Sequence, residues 1–153
     1  KGINMKKILK YILPIVFIVL ATSGCNKEDD INAIFANRTW YVINLMSNSK
    51  ESALSNAQFQ TLYKRSDTYF IKFTTTGNFS VTTTSGSSYS GTCHIDGKKQ
   101  SITFDLGNAS GTEFISNTII DWMKNTTSYV GDTEQLELHQ KDSSTFIVLG
   151  KKR

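Results

Sequence analysis

YFIKFTTTGNFSVTTTSGSSYSGTCHIDGKKQSITFDL, residues 69–106, is the stretch whose reading decides the fold. Apolar and polar residues alternate in it with period two, the repeat of a strand with one buried and one wet face. Tyr69, Ile71 and Phe73 share one face, Thr75-Thr76-Gly77-Asn78 turns the chain, and Phe79 and Val81 continue on the next strand. Ser85-Gly86-Ser87 makes another turn. Tyr89, Gly91, Cys93 and Ile95 then lie opposite Ser90, Thr92, His94 and Asp96, and Asp96-Gly97 is a hairpin signal that leads back through Ile102, Phe104 and Leu106. These segments predict an antiparallel meander.

Downstream, the period changes. Phe114, Ile115, Thr118, Ile119, Trp122 and Met123 form one stripe of a helix expected over about 112–124, with Ser110 or Thr112 as its cap and Ser110 and Glu113 at capping-box spacing. Leu136 and Leu138 then point inward from a strand, and the continuous Phe146-Ile147-Val148-Leu149 run predicts a last strand buried on both faces. Upstream, Trp40 anchors a first strand over 39–46, and Asp30 can cap a short helical turn over 31–35. The polar insert 47–67 carries Ser55 before Ala57, Phe59, Leu62 and Tyr63, at spacings of a short amphipathic helix or an ordered loop. The expected class is α+β, a curved antiparallel sheet or partial barrel with one main helix inserted before the last hairpin.

The order of these features, from Thr39-Trp40 through Gly91 and Cys93 and the Asp96-Gly97 turn to Leu136-x-Leu138 and Phe146 to Leu149, resembles the META domain, the HslJ-like fold, over roughly residues 38–152. That family's Gly-Cys-Asn is represented here by Gly91-Thr92-Cys93-His94. A lipocalin-like small barrel is the competing family, and the helix within the strand order favours META, since an up-and-down barrel usually keeps its helix outside that order. The META resemblance implies an envelope-maintenance role.

The first thirty residues concern address. Lys6, Lys7 and Lys10 precede an eleven-residue apolar run, Tyr11 to Ala21, which contains Pro14 and is shorter than the ~20 residues a membrane-spanning helix needs. Thr22-Ser23-Gly24-Cys25 follows and resembles a bacterial lipobox, with Thr22 where Leu is usual; the resemblance implies cleavage before Cys25 and its acylation. Residues 1–24 are therefore expected to be a lipoprotein signal peptide, with Met5 as initiator. Residues 25–37 then form the lipidated cysteine and tether, and 38–153 a single domain. Lys27, Glu28, Asp29 and Asp30 resemble the lysine-acidic export tag of surface lipoproteins, and a solvated charge run is the alternative. The expected location is the outer membrane of a Gram-negative bacterium, facing the surface or the periplasm.

Four of the seventeen basic residues lie in the leader and none of the thirteen acidic ones do, so the remaining 129 residues balance to zero. That excludes the basic footprint of a nucleic-acid binder. With Cys25 acylated, Cys93 has no partner for a disulfide and the core must hold the fold.

Catalytic signatures are sparse. Cys93 and His94 are strand neighbours that point to opposite faces, which prevents a thiolate-imidazole pair. Glu137 with His139, and His94 with Asp96, each offer two ligands on one face, where zinc takes three or four. Asp105, Asp121, Glu134 and Glu137 sit in patterns that read as solvated. The sequence is thus expected to encode no enzyme, cofactor or metal site, but an anchored module that binds a protein or glycan, with Tyr63, Tyr89 and Tyr129 as candidate contacts. The alternatives are a small hydrolase or metal-dependent factor, and a lipocalin-like carrier of an apolar ligand. The bulk of Trp40, Phe73, Phe79, Phe104, Trp122 and Phe146 weighs against a large internal space.

Overall fold

A computed structural model describes residues 27–48, 50–64, 67–84 and 87–152. The elements in chain order are α1 (Lys27–Phe35), β1 (Thr39–Ser47), β2 (Glu51–Ser52), α2 (Asn56–Lys64), β3 (Phe70–Phe73), β4 (Asn78–Thr82), β5 (Ser88–Asp96), β6 (Ser101–Asp105), α3 (Phe114–Lys124), β7 (Thr126–Gly131), β8 (Gln135–Gln140) and β9 (Phe146–Gly150). Every strand pairing is antiparallel. The order β1-β3-β4-β5-β6-β7-β8-β9 closes on itself because β9 also pairs with β1, from Tyr41↔Gly150 to Met46↔Phe146. Leaving out the two-residue β2 at the rim of β1, eight strands form a closed barrel, which removes every exposed sheet edge along the wall.

The alternating faces read from the sequence build this wall. Ile71 and Phe73, Phe79 and Val81, Ile102 and Phe104, Leu136 and Leu138, and Ile147 and Leu149 all point into one buried cluster with Trp40, Val42 and Leu45. Aromatic rings fill part of the interior: Phe79 and Phe104 meet edge to face at 5.0 Å, and Phe73 lies 6.1 and 6.3 Å from them. Gly91 sits beneath Phe79, where a Cβ would meet the Asp105 carbonyl oxygen at 2.1 Å and the Phe79 ring at 3.0 Å. No larger residue fits that approach.

The main helix stands ahead of the last hairpin, as expected, but one further strand that the sequence reading does not contain lies between them. The hydroxyl-rich Thr126-Thr127-Ser128-Tyr129 segment, which shows no clear apolar alternation, is strand β7, paired with β8 from Thr126↔Gln140 to Gly131↔Leu136. This strand supplies the place in the wall that lets the sheet close around an inserted helix. The β6–β7 junction is nevertheless thin, with one register pair, Ser101↔Ser128, and one further bond in which the Tyr129 N–H donates to the Gln100 carbonyl oxygen at 3.0 Å.

Both barrel ends carry helices. α1 starts at Lys27, so Asp30 lies inside the helix rather than capping a turn. The far end of α1 enters the barrel: Ile34 and Phe35 are buried, and Phe35 makes edge contacts with Phe73 at 5.2 Å and Tyr129 at 5.0 Å. The Trp40 indole N–H donates to the Ile34 carbonyl oxygen at 2.9 Å, which fixes the helix to the first strand. Residues read as a tether are thus partly core.

At the opposite end, the insert 47–67 forms α2, opened by a capping box. The Ser55 N–H donates to Gln58 Oε1 at 2.8 Å, and the Gln58 N–H donates to Ser55 Oγ at 3.4 Å. Leu62 is fully buried. α3 lies across the same end in contact with β6 and β9, burying Ile115, Ser116, Ile119, Ile120 and Met123. Its buried stripe is rotated from the expected one: Phe114 is 55% exposed and Trp122 is only partly buried against the core. The expected Ser110–Glu113 box does not form, since Glu113 is the N-cap residue and makes no side-chain cap bond.

Candidate functional site

The side chains singled out from sequence do not converge. Tyr63 lies exposed on α2, its ring tilted against Phe59 with the centroids 4.7 Å apart. Tyr89 is half-buried on β5 and donates its hydroxyl to the Ser110 carbonyl oxygen at 2.7 Å. Tyr129 is an interior residue packed on Phe35, so its expected role as a surface contact is not what the structure gives it. Cys25 lies outside the described residues, and Lys27, Glu28, Asp29 and Asp30 form the first turn of α1.

His94 is on β5 and His139 on β8, with β6 and β7 between them in the wall. His139 stacks on Phe146 at 4.5 Å, its Nε2 lies 2.9 Å from Glu137 Oε2, and its Nδ1 lies 3.1 Å from the Ser143 carbonyl oxygen. The ring is thus engaged at both nitrogens within its own strand and turn. Among the described residues no group of three or more His, Cys, Asp or Glu could hold a metal ion. Cys93 is half-buried with its thiol toward the Thr76 carbonyl oxygen at 3.6 Å, and desolvation pushes its pKa up to about 11. A thiol held neutral is a poor nucleophile.

What the structure does bring together is the closure of the barrel end beneath α3. Tyr69, which precedes β3, has φ of 53°, a left-handed conformation that a bulky residue seldom adopts. It is held there from both sides: its N–H donates to the Thr83 carbonyl oxygen at 3.2 Å, and its own carbonyl accepts from the Val42 N–H at 2.9 Å. The buried ring projects its hydroxyl to Glu113 Oε1, the same oxygen that accepts from Ser116 Oγ at 3.1 Å. Tyr89 grips the loop before the helix through Ser110, and the Lys124 ammonium, at the helix's other end, donates to the Ala109 carbonyl oxygen at 2.6 Å.

Segment 106–113 is therefore a loop latched to the wall by two tyrosines and to its own helix by a lysine. Gly107 takes φ of 52° in it, and at Gly111 a Cβ would meet the Asn117 backbone nitrogen at 2.1 Å. Packed against β6 and β9, α3 offers an apolar underside of Ile115, Ile119, Ile120 and Met123 that joins the same buried cluster as Leu106, Ile147 and Leu149. The tyrosines of the latch carry a sequence signal only as strand residues. Tyr69 and Glu113 are 44 positions apart, and no local pattern links them.

Two grooves lie elsewhere, at the α1 end. One of about 350 Å³ is lined by Ile31, His94, Ile95, Asp96, Gly97 and Lys98, the other of about 400 Å³ by Ile43, Glu134, Gln135, Gly150, Lys151 and Lys152. In the first, the backbone N–H of Lys99, helped by the Lys99 charge and the N–H of Lys98, holds the Asp96 carboxyl below the usual range. The positive-φ residue of that hairpin is Gln100, at 52°, rather than the expected Gly97.

Comparison with known proteins fits this architecture. The chain is similar to a solved DUF4847-family protein from Bacteroides vulgatus ATCC 8482, with 21% identity, 80% of this chain and 97% of that chain covered, and a TM-score of 0.65. No curated protein matches. These findings overturn the META resemblance: the solved relative shares the fold of this closed antiparallel barrel, and the features that suggested META, an internal helix followed by a final hairpin, occur equally in a barrel once β7 is counted. The family model described as a domain of unknown function, DUF4847, matches residues 26–151, and the chain belongs to that family.

Proposed function

We propose that the protein is a membrane-anchored binding barrel, a lipocalin-like carrier that takes a small apolar ligand beneath α3 and is held at the bacterial envelope by an acylated Cys25. The observation that carries this reading is a closed barrel whose end, shared with α2, is covered by amphipathic α3 on a latched loop, over an apolar interior. A fully buried side chain contributes about 1.5–3 kcal/mol relative to exposure, so lifting α3 is costly unless something apolar replaces its underside. An elongated hydrocarbon or a small ring system supplies that surface, and a hydrophilic ligand does not. Chain packing supports the same division of labour. Phe35, Phe73, Phe79 and Phe104 fill the α1 half with interlocking rings, whereas α3 offers unbranched Met123 and aliphatic Ile side chains that repack more readily. The anchor rests on the lipobox-like Thr22-Ser23-Gly24-Cys25 and the preceding apolar run. The role is binding rather than catalysis.

The test is a titration of the domain from residue 26 onward with N-phenyl-1-naphthylamine, whose fluorescence rises in apolar surroundings. The reading expects saturable enhancement that is displaced by a long-chain fatty acid and strengthened by Tyr69→Phe, which releases the latch. Enhancement that never saturates, or that is indifferent to Tyr69→Phe, would remove α3 as the lid.

A further inference from the structure

In the acylated reading Asn26 alone separates the lipid from α1, so the barrel has almost no slack with which to turn. α1 has nine residues and spans about 13 Å at the helical rise of ~1.5 Å per residue. Its far end is fixed to the barrel by buried Ile34 and Phe35, by the Trp40 indole bond, and by Arg38 Nε donating to the Ala33 carbonyl oxygen at 2.9 Å. We infer that the barrel stands end-on upon the lipid surface, its α1 end against the headgroups and the α3-closed end turned away from the membrane. The inference rests on the acylation of Cys25.

Strand alternation fixes which segments share the α1 end. β1 starts there, so β3, β5, β7 and β9 finish there, and with them the turns 74–77, 97–100 and 132–134. The Phe73 N–H donating to the Arg38 carbonyl oxygen at 2.8 Å, and Ile31 lining a groove with the 94–98 segment, place α1 on that rim directly. The rim carries Arg38, Lys98, Lys99, Lys151 and Lys152 against Asp96, Asp132 and Glu134. Those carboxylates are engaged within the rim. Asp96 accepts from the Lys98 and Lys99 N–H groups, Asp132 from the Glu134 and Gln135 N–H groups, and Glu134 pairs with Lys151 at 2.9 Å.

Both grooves at this end have the same construction, with isoleucine in the lining (Ile31 and Ile95; Ile43) and lysine beside it (Lys98; Lys151 and Lys152). An apolar surface rimmed by long ammonium side chains suits the boundary between acyl chains and anionic headgroup phosphates, where lysine stems snorkel. Each lysine near an anionic surface contributes about 1 kcal/mol. With Lys27, Glu28, Asp29 and Asp30 counted, the formal charges named at this end balance, so the lysines act locally beside the two grooves rather than through a net field.

The experiment uses the full acylated chain in phosphatidylcholine vesicles containing phosphatidylglycerol, in a Cys93→Ser background. A single environment-sensitive label sits at Lys99→Cys on the α1 rim or at Lys64→Cys on α2. Headgroup-attached quenchers should quench the label at 99 severalfold more than the label at 64, and Lys98→Glu with Lys152→Glu should reduce that difference. Equal quenching at both positions in protein that floats with the vesicles would overturn the end-on orientation while leaving the anchor intact. Failure to float, with an unmodified Cys25 in the mass spectrum, would overturn the anchor and the orientation together.

Discussion

Tyr69 concentrates the argument at the scale of single residues. Its left-handed φ costs about 1–3 kcal/mol and persists because two backbone bonds and the Glu113 carboxylate hold the residue in place. Tyr69→Phe should lower the unfolding free energy by about 1.5–3 kcal/mol, the usual worth of a hydrogen bond to a charged group. In a urea-denaturation cycle with Glu113→Ala the two losses should overlap; strictly additive losses would mean that the Tyr69–Glu113 bond contributes nothing. Cys93 gives a second prediction. Its folded pKa of about 11 lies above the ordinary thiol value, so the neutral form is the one that the fold accepts. Below the unfolded thiol's pKa the folded and unfolded chains are both protonated and Cys93 has no effect on the pH dependence. Above it the unfolded chain ionises first, so stability falls as pH rises toward 11. Cys93→Ser should flatten that alkaline slope in thermal melts recorded from pH 8 to 11, and a slope unchanged by the substitution would assign it to other groups.

At the scale of elements, legibility followed the strength of the local period. β3, β4, β6 and β8 are readable because their inward residues are apolar and buried, β5 because half-buried Tyr89, Gly91, Cys93 and Ile95 alternate with polar residues, and the run at Phe146 to Leu149 because it is a strand buried on both sides. β7 was not readable, because only Tyr129 among its inward residues is large and apolar while Thr126 is buried through a hydroxyl bond to the Trp122 carbonyl oxygen at 2.9 Å. α1 was underestimated for a different reason. Its sequence is mostly polar, and the two residues that matter, Ile34 and Phe35, are recruited by the barrel rather than by helical amphipathicity. Phe35→Ala should therefore behave as a core deletion, with a loss of about 3–5 kcal/mol in chemical denaturation. A loss within the ~0.5 kcal/mol of an ordinary surface change would make α1 a loose appendage. Amide exchange should also rank the elements, with 107–113 and the start of β7 opening before β8 and β9, because the β6–β7 junction has one register pair where β8–β9 has a continuous ladder.

For the whole molecule, closure is the property that sequence periodicity could not deliver, since it depends on β9 meeting β1 across more than a hundred residues. The candidate site was hidden for the same reason. Its latch joins Tyr69, Tyr89, Ser110, Glu113 and Lys124 from four separate segments, and no spacing in the sequence links one of those segments to another. The central claim is that an apolar ligand enters beneath α3, and methyl NMR of the domain during titration with a long-chain fatty acid tests it most directly. The account predicts saturable shifts centred on Ile119, Ile120, Met123, Ile147 and Leu149, with Val81 and Leu136 little changed. Shifts confined to the exposed residues around Tyr63 and Phe114, or none at all at saturating ligand, would contradict it.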